Sequence, residues 1–113
     1  MSDEDPQRDL NRVLKGWNTI RDLLLGMGQD DFLASPDTQD KVIAELITVG
    51  EAVGRLPGEV RQQDPYIEWD VIRAWPQTLA VGLASADMKA VWGWATNEMY
   101  ELRELVTGMD EEG

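Results

Sequence analysis

Apolar residues recur at intervals of three and four along four stretches of the chain, which is the spacing of amphipathic helices. The first stretch follows Asp5-Pro6, a capping residue and a proline typical of a helix start, and it ends at Gly26. The second stretch follows Ser35-Pro36, which repeats that signal. The apolar positions are Leu10, Val13, Leu14, Trp17, Ile20, Leu23 and Leu24 in the first stretch, and Val42, Ile43, Leu46, Val49, Val53 and Leu56 in the second.

The third apolar stretch is interrupted by a proline. It runs from Ile67 to Leu83, and Pro76 lies within it. A proline cannot donate a hydrogen bond to the carbonyl four residues earlier and clashes with it, at about 3 kcal/mol in a helix interior. The pattern therefore predicts a third helix that is kinked or broken near Pro76.

A fourth helix is predicted after capping residues at 85–87, and the tail 108–113 is predicted to fray. The apolar stripe of this helix is Met88, Val91, Trp92, Ala95, Met99, Leu102, Leu105 and Val106. We find no alternating strand pattern and no internal repeat. The expected fold is all-α, an antiparallel four-helix bundle that forms a single domain over residues 1–113.

Gly50 and Gly54 lie four residues apart on the second predicted helix. Glycine is unfavourable inside a helix, but its missing side chain lets a neighbouring backbone come close. We therefore expect another helix to pack tightly against this face.

Composition narrows the chemistry that the chain can perform. Its 113 residues suit one domain and include neither cysteine nor histidine. Thiolate nucleophiles, thiolate metal sites and the commonest general base near neutral pH are therefore absent. The 22 aspartates and glutamates make chance carboxylate pairs almost certain, so no metal site and no cofactor are predicted.

The net charge of -12 opposes a phosphate backbone and argues against nucleic acid as a partner. Arg8, Arg12 and Arg21 recur at offsets of four and nine, so they predict no single basic stripe. No apolar run approaches the roughly 20 residues that span a bilayer. The acidic start of the chain is unlike a signal peptide, and we expect a cytoplasmic protein without a membrane anchor.

Several local strings point to a known family. They are Arg8-Asp9, Val49-Gly50-Glu51-Ala52, Pro65-x-Ile67-x-Trp69 and Val91-Trp92. With these strings along nearly its whole length, the chain resembles the HepT-like proteins, which are small helical ribonuclease toxins. Glu68 stands where the family carries a second proline. The resemblance implies a homodimer and a minimal nucleotidyltransferase as protein partner.

The same resemblance locates the family's reactive residues. Counted from Trp69 without gaps, the family carries Arg-Asn, then a histidine, then a tyrosine two residues later. This chain has Pro76, Gln77, Val81 and Leu83 at those positions. In the family the arginine and histidine are thought to cleave RNA, and the tyrosine is adenylylated by the nucleotidyltransferase. RNA cleavage needs an acid and base and a cation near the phosphate, which these four residues do not supply.

Four other residues are candidates for a groove or an interface. Glu51 lies in an apolar stretch and could face a groove with Arg73 as its partner, or it could be solvated. Trp75 lies beside the altered motif and is either an interface or a core residue. Trp92 and Trp94 are about 200° apart on an α-helix, which places Trp92 inside and makes Trp94 either a contact to a subunit or partner or simply a partly exposed residue.

The leading hypothesis is a catalytically inactive HepT-like protein that forms a homodimer and binds a protein partner. One alternative is a ribonuclease that uses a different set of residues, such as Arg73 with Glu51 or Asp70. Another is an acidic inhibitor that mimics nucleic acid, which clustered surface carboxylates would favour.

Overall fold

The computed structural model describes residues 6–80 and 87–112, and all of the regular structure in those ranges is helical. The helices are α1 (Pro6–Leu23), α2 (Gln29–Leu33), α3 (Pro36–Gly54), α4 (Gly58–Arg61), α5 (Trp69–Ala80), α6 (Met88–Gly93) and α7 (Met99–Glu112), with a π-helical turn at Trp94–Glu98 that joins α6 to α7. The four helices expected from the apolar pattern correspond to α1, α3, α5 and the continuous helical segment 88–112. The all-α prediction is confirmed.

Helix α3 lies at the centre of the bundle. It packs against α1 on one side and α5 on another, while α7 packs against α1 and α2 bridges α3 and α6. Asp9 near the start of α1 bonds to Arg55 just after the end of α3, so these two helices are antiparallel. The predicted inward face of α3 is buried at every position, namely Val42, Ile43, Leu46, Val49, Val53 and, just past its end, Leu56.

Helix α5 continues through Pro76 to Ala80, so the proline does not end it. A Cβ atom built on Gly50 would lie 2.6 Å from Pro76 Cδ and 2.8 Å from the carbonyl oxygen of Ile72. That carbonyl is the one for which Pro76 has no N–H. The close approach predicted at Gly50 is therefore confirmed and lies at the proline, whereas a Cβ on Gly54 would meet nothing within 4 Å.

Several helix ends differ from the expected ones by a few residues. Helix α1 ends at Leu23, and Gly26 adopts a left-handed φ of 80° in the turn that follows. The Asp87 side chain accepts from the backbone N–H of Lys89, as expected for a cap, whereas Ser35 donates to the Thr38 hydroxyl instead. The backbone is helical to Glu112, and fraying of this end stays a prediction.

The proposed caps at residues 5 and 85 lie outside the described residues. Within the described ranges, no helix combines the length and the apolar character needed to cross a membrane.

Candidate functional site

The positions that correspond to the family motif do not form a polar site in the part of the chain that the structure describes. Pro76 is half-buried with its ring close to Gly50, and Gln77 is exposed on the outer side of α5. Val81 and Leu83 lie outside the described residues. Position 76 is therefore a packing position in the seam between α3 and α5.

Glu51 and Arg73 are both exposed, and the structure gives no ion pair between them. Arg73 instead places Nη1 4.0 Å from Oδ1 of Asp70, one helical turn earlier on α5. A pair this long between exposed side chains contributes little to stability. In the single chain Glu51 therefore lies on a solvated face, its alternative interpretation, and its place in a groove or interface stays a prediction.

Trp75 and Trp94 contact each other, with ring centroids 5.8 Å apart and ring planes at 40°. Trp75 is completely buried and belongs to the hydrophobic core, the alternative to an interface position. Its indole N–H has no acceptor among the described residues. Trp94 is half-buried over this ring, so it joins α5 to the segment 88–112.

The π-helical turn changes the geometry on which the prediction for Trp94 depended. A π-helix closes its hydrogen bonds between residues five apart, so side chains advance less per residue than in an α-helix. Trp92 packs on Phe32 of α2 with centroids 5.5 Å apart, while Trp94 packs on Trp75 of α5. Both tryptophans are partly buried and have partners within the chain, so Trp92 and Trp94 do not divide into an inner and an outer residue, and Trp94 as an interface residue stays a prediction.

A basic cleft of about 420 Å³ is the feature that the sequence interpretation missed. It is lined by Arg8, Asp9, Asn11, Arg12, Lys15, Thr48 and Arg55. The signal was present in α1, because residues 8, 12 and 15 share one helical face at offsets of four and seven. The prediction of no single basic stripe is correct for Arg21 but overlooked Lys15.

One side of this basic cleft is fixed by an ion pair. Both Nε and Nη2 of Arg55 lie 3.0 Å from Oδ1 of Asp9. The Asp9 side chain is only 7% exposed, whereas that of Arg55 is 56% exposed. The buried carboxylate therefore holds an arginine that faces solvent.

A second cleft, of about 380 Å³, is apolar and lies between the end of α1 and the segment 88–112. Its lining residues are Trp17, Ile20, Arg21, Leu24, Leu25, Gly26, Met27, Trp92, Ala95 and Thr96, none of them acidic. Leu25 is 80% exposed at its edge. Near it, Trp17 makes an edge-to-face contact with half-exposed Tyr100, at a centroid distance of 5.9 Å.

Comparison with models of known protein families identifies the family of this chain. The model of the family described as Ribonuclease HepT-like matches residues 14–109. The chain belongs to the HepT-like family. The resemblance seen in the sequence strings is therefore confirmed.

Curated relatives of this HepT-like chain carry ribonuclease names. A protein of Methanocaldococcus jannaschii named "Gamma-glutamylcyclotransferase and putative RNase" is 27% identical over 91% of this chain, which spans only 46% of that protein. A second protein of this organism, named "Putative RNase", is 25% identical over 99% of this chain and 96% of its own length. Another "Putative RNase", from Caldanaerobacter subterraneus subsp. tengcongensis, is 24% identical over 89% of this chain and 90% of its own length. No solved structure matches the chain.

The HepT-like chain also brings carboxylates together around the π-helical turn. Burial raises the pKa of Glu98 above its ordinary value, and the negative charges of Glu101 and Glu68 raise it further, against a backbone hydrogen bond that lowers it. Glu68 comes just before α5 and is the residue that replaces the family's second proline. The charges of Glu68 and Glu101 thus act on Glu98 where the loop before α5 meets the π-helical turn.

Proposed function

We propose that this HepT-like chain is a homodimeric protein-interaction module that does not cleave RNA with the arginine and histidine of its family. The observation that carries this proposal is the packing of Pro76 against Gly50 at the position where the family carries its arginine. A proline ring in a helix seam offers no charge to a phosphate. A chain without histidine has no imidazole to move a proton at the ribose hydroxyl.

The apolar cleft supports self-association. Two copies that each carry a charge of -12 repel each other, and this repulsion is smallest where carboxylates are absent. The described residues that line the apolar cleft include no acidic one, and they combine Trp17 and Trp92 with exposed Leu25. Aromatic and aliphatic side chains of this kind are enriched in protein interfaces. The proposed occupant of the apolar cleft is a second copy of the chain.

The purified protein is expected to be a dimer that the substitution Leu25→Glu converts to monomer. A carboxylate at this position would be desolvated in the interface and would be repelled by the acidic partner, which weakens association by about tenfold or more. Sedimentation equilibrium over a series of concentrations measures the change.

The matched control is Ala44→Glu, which adds the same charge at an exposed position of α3. This variant is expected to remain dimeric. A strictly monomeric parent protein, or equal dissociation of both variants, contradicts the proposed interface.

The nucleotidyltransferase implied by the family is the second partner in this proposal. Leu83 stands where the family carries the tyrosine that is adenylylated. Binding to such a partner would therefore proceed without adenylylation at this position.

A ribonuclease is the second candidate, because the curated relatives carry that name. In this chain it would have to use Arg73 with Asp70, the pair found on α5. We expect no cleavage when the protein is incubated with transfer RNA and messenger RNA, with and without magnesium. Gel analysis of the RNA checks this expectation.

The variant Arg73→Ala separates the two candidates. Cleavage by the parent protein that disappears in this variant establishes the ribonuclease and contradicts the proposed function. Cleavage that persists in the variant and is lost on repeated purification indicates a contaminating nuclease, whereas cleavage that survives purification comes from other residues and also contradicts the proposed function. After such purification the parent protein is expected to leave the RNA intact.

A further inference from the structure

The basic cleft concentrates positive charge in a strongly acidic chain. Four of the ten lysines and arginines line it, and Asp9 is the one carboxylate among the described lining residues. The described lining residues therefore carry more positive than negative charge, on a chain of net charge -12. A local reversal of charge marks a place where a small anion is attracted.

Two elements position these cations. Arg8, Arg12 and Lys15 lie on one face of α1 and extend over about 10 Å, at 1.5 Å per residue. Arg55 comes from the end of α3, because α1 and α3 are antiparallel. Positive groups thus approach the basic cleft from two helices, and the Thr48 side chain lies among them.

Arg55 is oriented before any ligand arrives. Asp9 accepts a hydrogen bond from Nε, and Nη2 lies 3.0 Å from the same carboxylate oxygen, whereas Nη1 has no acceptor among the described residues. A guanidinium held in this way loses little conformational entropy when it binds an anion. Asp9 is therefore a positioning residue, and its charge is largely balanced by Arg55 itself.

We propose that the basic cleft binds a compact oligophosphate, a ligand with two or more linked phosphate groups. The guanidinium group of an arginine can donate two parallel hydrogen bonds to the oxygens of one phosphate. Several cations within about 10 Å also match an anion that carries several adjacent charges. A long nucleic acid fits less well, because beyond the basic cleft it meets a chain with 22 aspartates and glutamates and a net charge of -12. This proposal does not depend on the proposed function.

Isothermal titration of the full chain with sodium tripolyphosphate, without magnesium, tests the proposal. The expected result is saturable binding of one tripolyphosphate per chain that weakens as salt is raised. Lys15→Gln and Arg12→Gln are each expected to lower the affinity by about tenfold, the effect of losing one charge-assisted hydrogen bond. Lys15 is exposed, so its variant is expected to keep the fold even if the half-buried Arg12 contributes to packing.

The matched control is Lys41→Gln. Lys41 is an exposed residue of α3 about 20 Å along that helix from Arg55, and its variant changes the net charge by the same amount. Its affinity is expected to equal that of the parent protein. A loss equal to that of Lys15→Gln overturns the proposal, since the effect would then come from net charge alone.

Further titrations distinguish the source of the phosphates. Binding of both tripolyphosphate and ATP, with much weaker binding of AMP, supports recognition of linked phosphates. Three results overturn the proposal: no saturation at millimolar tripolyphosphate, binding of ATP without binding of tripolyphosphate, or tighter binding of a single-stranded oligoribonucleotide through Arg12 and Lys15.

Discussion

Replacing Arg55 with methionine is expected to lower the free energy of unfolding by about 2 kcal/mol. Methionine keeps a long apolar side chain but removes the hydrogen bond and the ion pair to Asp9, whose side chain is 7% exposed. A buried carboxylate without a cation loses the interaction that offsets its desolvation. The expected loss of stability is large because the buried carboxylate of Asp9 is left without a cation, whereas the half-exposed arginine itself contributes little. Urea denaturation followed by circular dichroism measures it.

Two further variants make this prediction specific. Arg73→Met removes an arginine whose ion pair on α5 is long and exposed, and it is expected to change stability by less than about 0.5 kcal/mol. The double variant Asp9→Asn with Arg55→Met is expected to be more stable than Arg55→Met alone, because the unpaired charge is gone. A single variant Arg55→Met as stable as the parent protein contradicts the argument.

Gly50→Ala is expected to destabilise the protein by about 2 kcal/mol, within the range for overpacked cores. The new methyl group would lie 2.6 Å from Pro76 Cδ and 2.8 Å from the Ile72 carbonyl oxygen. Neither neighbour is the flexible end of a side chain, since one belongs to a ring and the other to the backbone. The two helices must therefore move apart along the seam. Thermal or urea unfolding measures the loss.

Gly54→Ala on the same helix is the matched control. A methyl group at this position meets nothing within 4 Å, and alanine is the better helix former by about 1 kcal/mol. The control is therefore expected to be equal to or more stable than the parent protein. If both variants behave alike, helix propensity rather than the contact with Pro76 controls this helix.

The helices and their buried faces could be predicted because each depends on residues close in sequence. Capping residues, prolines and apolar spacing in α1 and α3 act within a few turns. Gly50 gave a usable signal as well, because glycine inside an apolar helix carries a local cost that a close contact must offset. Gly16 on α1 is also a glycine inside an apolar helix, but no close contact was predicted for it. A Cβ atom there would lie 2.5 Å from Val49 Cγ2.

The features that sequence interpretation missed depend on contacts between distant segments. Asp9 and Arg55 are 46 residues apart, and only the antiparallel packing of α1 and α3 joins them. The position of Trp94 depends on a π-helical turn, for which the local residues gave no recognised signal. The ion pair considered between Glu51 and Arg73 also depended on distant segments, and the structure does not contain it, since both side chains are exposed and Arg73 has a nearer carboxylate within its own helix.

The central place of α3 has a consequence for synthesis of the chain. When residues 36–54 leave the ribosome, they can pack at once on α1, which has already emerged. Their other face has no partner until α5 has been synthesised. Until residues 69–80 arrive, that face is an uncovered apolar surface on a nascent hairpin, the kind of surface that chaperones bind. Slow translation between α3 and α5 would lengthen this exposure, and rapid translation would shorten it.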